Sequence, residues 1–276
     1  MTRPTHPLII PSALATVLDS VTLLDTRWEL GVPTRRPAYD AGHLPGAAWV
    51  EFEGVLADAP GAGGRHPMPQ RDVFAAAMRA AGVDNDRPVV VYDDGNSLAA
   101  SRCWWLLKYF GKEDVQVLDG GFAAWAAAGL PVSTDEVPPA DGDFYPTDPG
   151  AALLDADGAA DFAVTKLLLD ARPADRFAGR NETVDPIPGH IPEAVSSPSL
   201  ANVTESGAFL PPDDLAMRFT ALGIRTDSEV GVYCGSGVQA THLALALEAS
   251  GIRPRTSIYI GSWSHWITDP ERPVEV

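Results

Sequence analysis

Cys234 sits in the segment Val232-Tyr233-Cys234-Gly235-Ser236-Gly237-Val238-Gln239-Ala240, where a short apolar run ends in a thiol and two glycines flank a serine. The apolar run reads as a buried strand, and a helical pattern follows the glycines directly. Glycine permits backbone angles that turn several N–H groups inward as an anion-binding nest. The helix adds its positive N-terminal end. A thiolate in such a loop is stabilised, and so is a persulfide, an anion one sulfur longer. The chemistry indicated is covalent transfer through Cys234 as nucleophile. Gly235, Gly237, Val238 and Gln239 then line the binding loop. Ser236 is placed to donate or relay a proton beside the sulfur, or else to cap the helix. The alternative for Cys234 is a structural thiol beside a tight turn. That alternative suits Cys103 better, since it lies in the apolar helical run Arg102-Cys103-Trp104-Trp105-Leu106-Leu107.

A second set of candidates carries positive charge. The chain has a formal net charge of −17, which argues against nucleic acid and anionic membrane surfaces as partners and sets a local problem for any anionic substrate. Clustered arginines would solve it. Arg172 offers a bidentate fork to a carboxylate or sulfonate, or pairs structurally with Asp170 or Asp175. Arg176 and Arg180 follow on the same segment. Arg65 and His66 lie in a Gly-rich loop of the first half and are candidates if that loop reaches the site. His43 and His190 read as loop-stabilising, with proton transfer a lesser option for His43. The two cysteines form no CxxC, so a zinc site or disulfide framework has little support, and a reducing, cytoplasmic setting fits. Met1 to Pro11 carries no signal-peptide pattern, and no apolar stretch is long enough for a membrane span.

The elements that must position these residues occur twice. Leu23-Leu24-Asp25-Thr26-Arg27, Gly42-His43-Leu44-Pro45-Gly46-Ala47 and Pro88-Val89-Val90-Val91-Tyr92 recur as Leu168-Leu169-Asp170-Ala171-Arg172, Gly189-His190-Ile191-Pro192-Glu193-Ala194 and Val230-Gly231-Val232-Tyr233. Asp93 stands where Cys234 stands, and each is followed 32 residues on by a tryptophan, Trp125 or Trp266. Such a repeat implies two domains of one fold. Short β-branched runs alternate with Ala-rich helical patterns at 74–81, 99–110 and 240–250, closed by Gly82, Gly111 and Gly251. The fold class expected is α/β, each domain a mainly parallel sheet flanked by helices. The stretch 132–149, rich in Pro, Asp and Gly, reads as a linker. The boundary is set near residue 140, giving domains 1–139 and 140–276.

On these residues the chain resembles the tandem-domain rhodanese family. Cys234-Gly235-Ser236-Gly237-Val238 is similar to the active loop of its mercaptopyruvate sulfurtransferases, whereas thiosulfate-preferring members carry charged residues after the cysteine. Asp170-Ala171-Arg172, Gly189-His190-Ile191-Pro192 and Gly261-Ser262-Trp263-Ser264-His265-Trp266 resemble the second-domain motifs. Asp25-Thr26-Arg27, Gly64-Arg65-His66-Pro67 and Asp119-Gly120-Gly121-Phe122 resemble those of the first. Gln239 replaces the usual Thr, and Glu193 the usual Gly. The resemblance implies two rhodanese-like domains, the second catalytic and the first without its cysteine. It implies Arg172 as a donor-binding residue, and a Cys234 persulfide that passes sulfur from 3-mercaptopyruvate or thiosulfate to cyanide or a thiol, a thioredoxin-like protein among the acceptors. No metal or organic cofactor is implied. Two rivals are weaker. A cysteine phosphatase needs Arg six residues after the nucleophile, where this chain has Ala240. A non-catalytic binding module needs no intact cysteine loop.

Overall fold

The computed structural model describes residues 6–138, 140–147 and 152–276. The chain forms two compact units. In the first, strands β1 (Leu8–Ile9), β2 (Thr22–Asp25), β3 (Ala48–Trp49), β4 (Val89–Tyr92) and β5 (Val115–Leu118) form a sheet in the order β1-β5-β4-β2-β3. In the second, β6 (Ala152–Leu153), β7 (Leu167–Asp170), β8 (Val195–Ser196), β9 (Glu229–Tyr233) and β10 (Arg255–Ile258) repeat it as β6-β10-β9-β7-β8. Every pairing is parallel. The central strands explain the apolar runs: β4 is buried along its whole length, and so is β9 after Glu229, as in a sheet covered by helices on both faces. Gly231 lets β9 pack closely. A Cβ there would lie 2.9 Å from both Leu168 and Phe162.

The helices fall where the periodicity puts them, at Arg71–Ala80, Leu98–Tyr109 and Val238–Ala249. Gly82, Gly111 and Gly251 follow them at φ +77°, +94° and +78°, as left-handed closures should. Trp104, Trp105, Trp125, Trp263 and Trp266 are buried core.

The units are not consecutive in sequence. Ala59–Met68 belongs to the second and Thr204–Phe209 to the first. Residues 140–147, grouped by sequence with the second domain, pack on the first unit. Phe144 is buried edge-on to Phe74, and Asn85 binds Asp143. Of the stretch read as a linker, residues 139, 148 and 149 lie outside the described residues.

Candidate active site

β9 ends at Tyr233 and delivers Cys234 at the carboxyl end of the sheet, where open α/β folds place their sites. The loop that follows is clamped from below by the helix Ser262–Trp266. The N–H groups of Trp263 and Ser264 donate to the carbonyls of Cys234 and Gly235, both at 2.9 Å. Ser262 Oγ accepts the Cys234 N–H at 3.0 Å, donates to the Tyr259 carbonyl at 2.8 Å and lies 3.9 Å from Cys234 Sγ. Ser262 adopts φ +53°, a left-handed conformation that costs a serine about 1–2 kcal/mol. The equivalent residue of the first unit is Gly121, at φ +56°. A serine is held in a glycine conformation where its hydroxyl fixes Cys234, and the unit without the cysteine has glycine there.

Cys234 Sγ accepts the Gly237 N–H at 3.0 Å. Gly237, at φ +85°, is the N-cap of Val238–Ala249, so the sulfur sits at the start of a three-turn helix. The first unit shows what such a loop holds when no thiol is present. There the Asp93 carboxylate accepts the N–H groups of Gly95 and Ser97 on one oxygen, both at 3.0 Å. Its other oxygen accepts those of Ala99 and Ala100, at 3.0 and 3.2 Å. Burial pushes the Asp93 carboxyl above its ordinary range, opposed by these N–H bonds. Ser97 caps its helix as Gly237 does, so Ala99 and Ala100 correspond to Gln239 and Ala240.

The segment Ala59–Met68 supplies the other wall. Its backbone crosses the cysteine unit at Gly64, where a Cβ would come within 2.8 Å of the Gly261 carbonyl; Arg65 N–H is held by Ser264 Oγ at 3.0 Å. His66 is buried, with Nδ1 at 2.8 Å from Ser236 Oγ. Arg65 and Arg176 reach Gly235 together. A Cβ on Gly235 would lie 3.2 Å from Arg65 Nη2 and 3.8 Å from Arg176 Nη1. Two acids that the sequence reading passed over bind them. Asp185 bridges Arg65 Nη1 at 2.6 Å and Arg176 Nη2 at 2.9 Å. Glu182 binds Arg176 Nε at 2.9 Å. Burial pushes the Glu182 carboxyl up, but the Arg176 bond, the N–H groups of Asp185 and Val184 and the Arg176 charge outweigh it and hold Glu182 below its ordinary value.

Arg172 meets this group from the buried side, with Nη1 3.8 Å from Glu182 Oε2. Its side chain is fully buried, forked onto Asp170 at 2.6 and 3.0 Å and bonded to the Gly189 carbonyl at 2.7 Å, with Trp263 stacked against it. Arg27 does the same in the unit that has Asp93 in place of the cysteine, with Asp25, Gly42 and Phe122. The arginine in this position braces the fold, and in the second unit its Nη1 has no hydrogen-bond partner among the described residues. Its contribution to the site is its charge: burial pulls the guanidinium pKa down, but Asp170, then Tyr233 and Cys234, raise it beyond its ordinary value. Arg180 is exposed. His43 stacks on Tyr39 within the first unit and bonds its carbonyl, as His190 does with Phe177. Val238 is buried, and Gln239 is half-buried beside it. Cys103 is enclosed in the first core, where burial pushes its thiol far up.

A profile of the rhodanese-like domain matches residues 11–128 and 151–269. A Mycobacterium tuberculosis protein provisionally assigned as a thiosulfate sulfurtransferase is 43% identical over 93% of this chain and 91% of its own length. A Pseudomonas aeruginosa protein provisionally assigned as a 3-mercaptopyruvate sulfurtransferase is 44% identical over 91% of each chain. The crystal structure of Escherichia coli SseA, described as a 3-mercaptopyruvate sulfotransferase with the rhodanese fold, matches with a TM-score of 0.81 at 32% identity. That match covers 94% of this chain and all of SseA.

Proposed function

This chain belongs to the rhodanese family and is a sulfurtransferase of two tandem domains, and on that premise we propose that Cys234 carries the sulfur as a persulfide taken from 3-mercaptopyruvate. The observation that carries the reading is the Cys234 sulfur at a helix N-cap, bonded by the Gly237 N–H, with the Ser236–His66 pair beside it. In the first half-reaction the Cys234 thiolate attacks the donor sulfur and the C–S bond breaks. The carbon leaves with the electron pair as the enolate of pyruvate, and the proton of the donor thiol passes to that carbon. Ser236 and His66 are placed to move it. The products are pyruvate and the Cys234 persulfide anion. In the second half-reaction the outer sulfur passes to cyanide or to a thiol, a thioredoxin-like protein included, and the thiolate returns.

Asp93 supports a location for the persulfide. Its carboxyl oxygens stand two bonds beyond Cβ, as the outer sulfur does. By that correspondence the N–H groups of Gln239 and Ala240 receive the outer sulfur while Gly237 holds the inner one.

The relatives' names divide between two donors at nearly equal identity. Mercaptopyruvate is favoured here by the loop, because Gly235 and Ser236 offer no positive side chain to a dianion, and by a proton-moving pair that thiosulfate does not require. The reducing, cytoplasmic setting belongs to the same proposal. Among the described residues both cysteines are free, and no helix is long and apolar enough to cross a membrane. Donor treatment is expected to add one cyanide-removable sulfur to Cys234 by mass spectrometry, with ping-pong kinetics, and Cys234→Ser to abolish transfer. Full transfer by Cys234→Ser would end the persulfide reading. A kcat/KM for thiosulfate at or above that for 3-mercaptopyruvate would end the donor assignment alone.

A further inference from the structure

The anion site contains its own anion. Arg65 and Arg176 both reach Gly235, the residue after the nucleophile, yet each is already tied to Asp185, whose two oxygens are divided between them. Arg176 does not need Asp185 for neutralisation, because Glu182 holds its Nε and Nη2. The Asp185 side chain is 2% exposed, so water does little to screen it. Behind it Arg172 lies 3.8 Å from Glu182 and is forked onto Asp170, so three guanidiniums and three carboxylates bring the formal charge of this wall to zero. The N–H groups of Arg65 Nη2 and Arg176 Nη1, beside Gly235, bond no other described residue and stay available to a ligand.

We propose that Asp185 is a specificity-determining residue, which sets the charge of the donor this site accepts. Resting on the sulfurtransferase reading above, it deepens that reading. With Asp185 ionised, the wall offers hydrogen bonds without net positive charge, in a protein whose net charge is −17. A donor with one negative charge, set on a carboxylate away from its sulfur, can use those bonds at small electrostatic cost. A dianion such as thiosulfate brings an additional charge against the same carboxylate. Removing the Asp185 charge therefore favours the dianion over the monoanion.

The test is Asp185→Asn, which keeps the size and one acceptor oxygen. Its kcat/KM ratio of thiosulfate to 3-mercaptopyruvate, with cyanide as common acceptor, is expected to rise by about tenfold for one charge a few ångströms from the donor. Inhibition by sulfate, an unreactive dianion, should tighten by a similar factor, while inhibition by pyruvate, a monoanion, should change less. Arg65→Gln is the reciprocal variant and should move the ratio the other way, which keeps the idea testable if Asp185→Asn does not fold. A ratio unchanged within about twofold in a folded Asp185→Asn, or variants that move it in the same direction, overturns the proposal. A sulfur adduct still formed on Cys234 in the wild-type chain would leave the persulfide reading standing in that case.

Discussion

Asp93→Asn separates a loop that needs an anion from one that merely tolerates an acid. Four backbone N–H groups converge on the Asp93 carboxylate at 3.0 to 3.2 Å, two on each oxygen, and the residue is 3% exposed. Asparagine keeps one oxygen. Whichever way the amide turns, two buried donors lose their acceptor and face an NH2 group instead. A buried donor left without a partner costs about 1–3 kcal/mol, so the gross loss is about 2–6 kcal/mol. Relief of the burial that raises the Asp93 pKa offsets part of it, and a net loss of about 2–4 kcal/mol is expected. Urea unfolding of the full chain measures this, with tryptophan fluorescence and a test for two transitions, since two units need not unfold together. Sulfur transfer by the folded variant should persist, because Asp93 holds no sulfur. A loss below about 1 kcal/mol would mean that the nest does not demand an anion. The argument that places the persulfide on the equivalent N–H groups would then fall with it.

Arg27→Lys and Arg172→Lys should each destabilise the chain by about 2–3 kcal/mol, because each loses a buried fork onto an aspartate; an unchanged melting temperature with a raised KM in Arg172→Lys would restore a donor-binding role to that residue. Iodoacetamide should alkylate Cys234 and spare Cys103 until the chain unfolds, since burial keeps the Cys103 thiol protonated; peptide mapping with prior Cys103 labelling would contradict this. Glu182 titrates below its ordinary value of 4.5 in the folded state, so its stabilisation is present above that pH and is lost as pH falls through the lower, folded value. Thermal melts of the wild type and Glu182→Gln should therefore converge only below pH 4.5; convergence already at neutral pH would refute the linkage.

The frame and the placement of the cysteine loop were legible because they rest on local signals. Apolar runs of four or five residues, closing glycines and a Gly-flanked cysteine each have a short-range physical meaning. For Arg172 the sequence left two readings open, and the fork onto Asp170 is the one the fold displays. Asp25-Thr26-Arg27 repeats Asp170-Ala171-Arg172 in the half that has Asp93 in place of the cysteine, and the same fork forms in both. Ser262 left a fainter trace, the replacement of Gly121 by serine at a position whose φ suits glycine. Asp185 left none. Residues 65 and 185 are far apart in sequence, and nothing in Thr183-Val184-Asp185-Pro186 announces a carboxylate set between two arginines.

The duplication allows the chemistry to be found by subtraction. Both units keep the buried Asp–Arg fork, a histidine stacked on an aromatic ring, and a tyrosine at the end of the central strand whose hydroxyl accepts a loop N–H, at Leu44 or Ile191. These shared contacts hold the loop, and they do not distinguish the unit that has the cysteine from the one that has Asp93. What the second unit adds is short: a thiol for a carboxylate at Cys234, a hydroxyl behind it at Ser262, a Ser236–His66 pair, and the Arg65–Asp185–Arg176 wall. The first unit satisfies its nest permanently with its own acid. On the proposed reading the second leaves its thiolate to take on and give up a neutral sulfane atom, so the loop carries one negative charge before and after. A loop that is to hold thiolate and persulfide in turn can do so with fixed backbone N–H groups, without moving a charged side chain. On that reading the arginines are left to act on the donor rather than on the sulfur, and Asp185→Asn should change donor choice without changing the loop that performs the transfer.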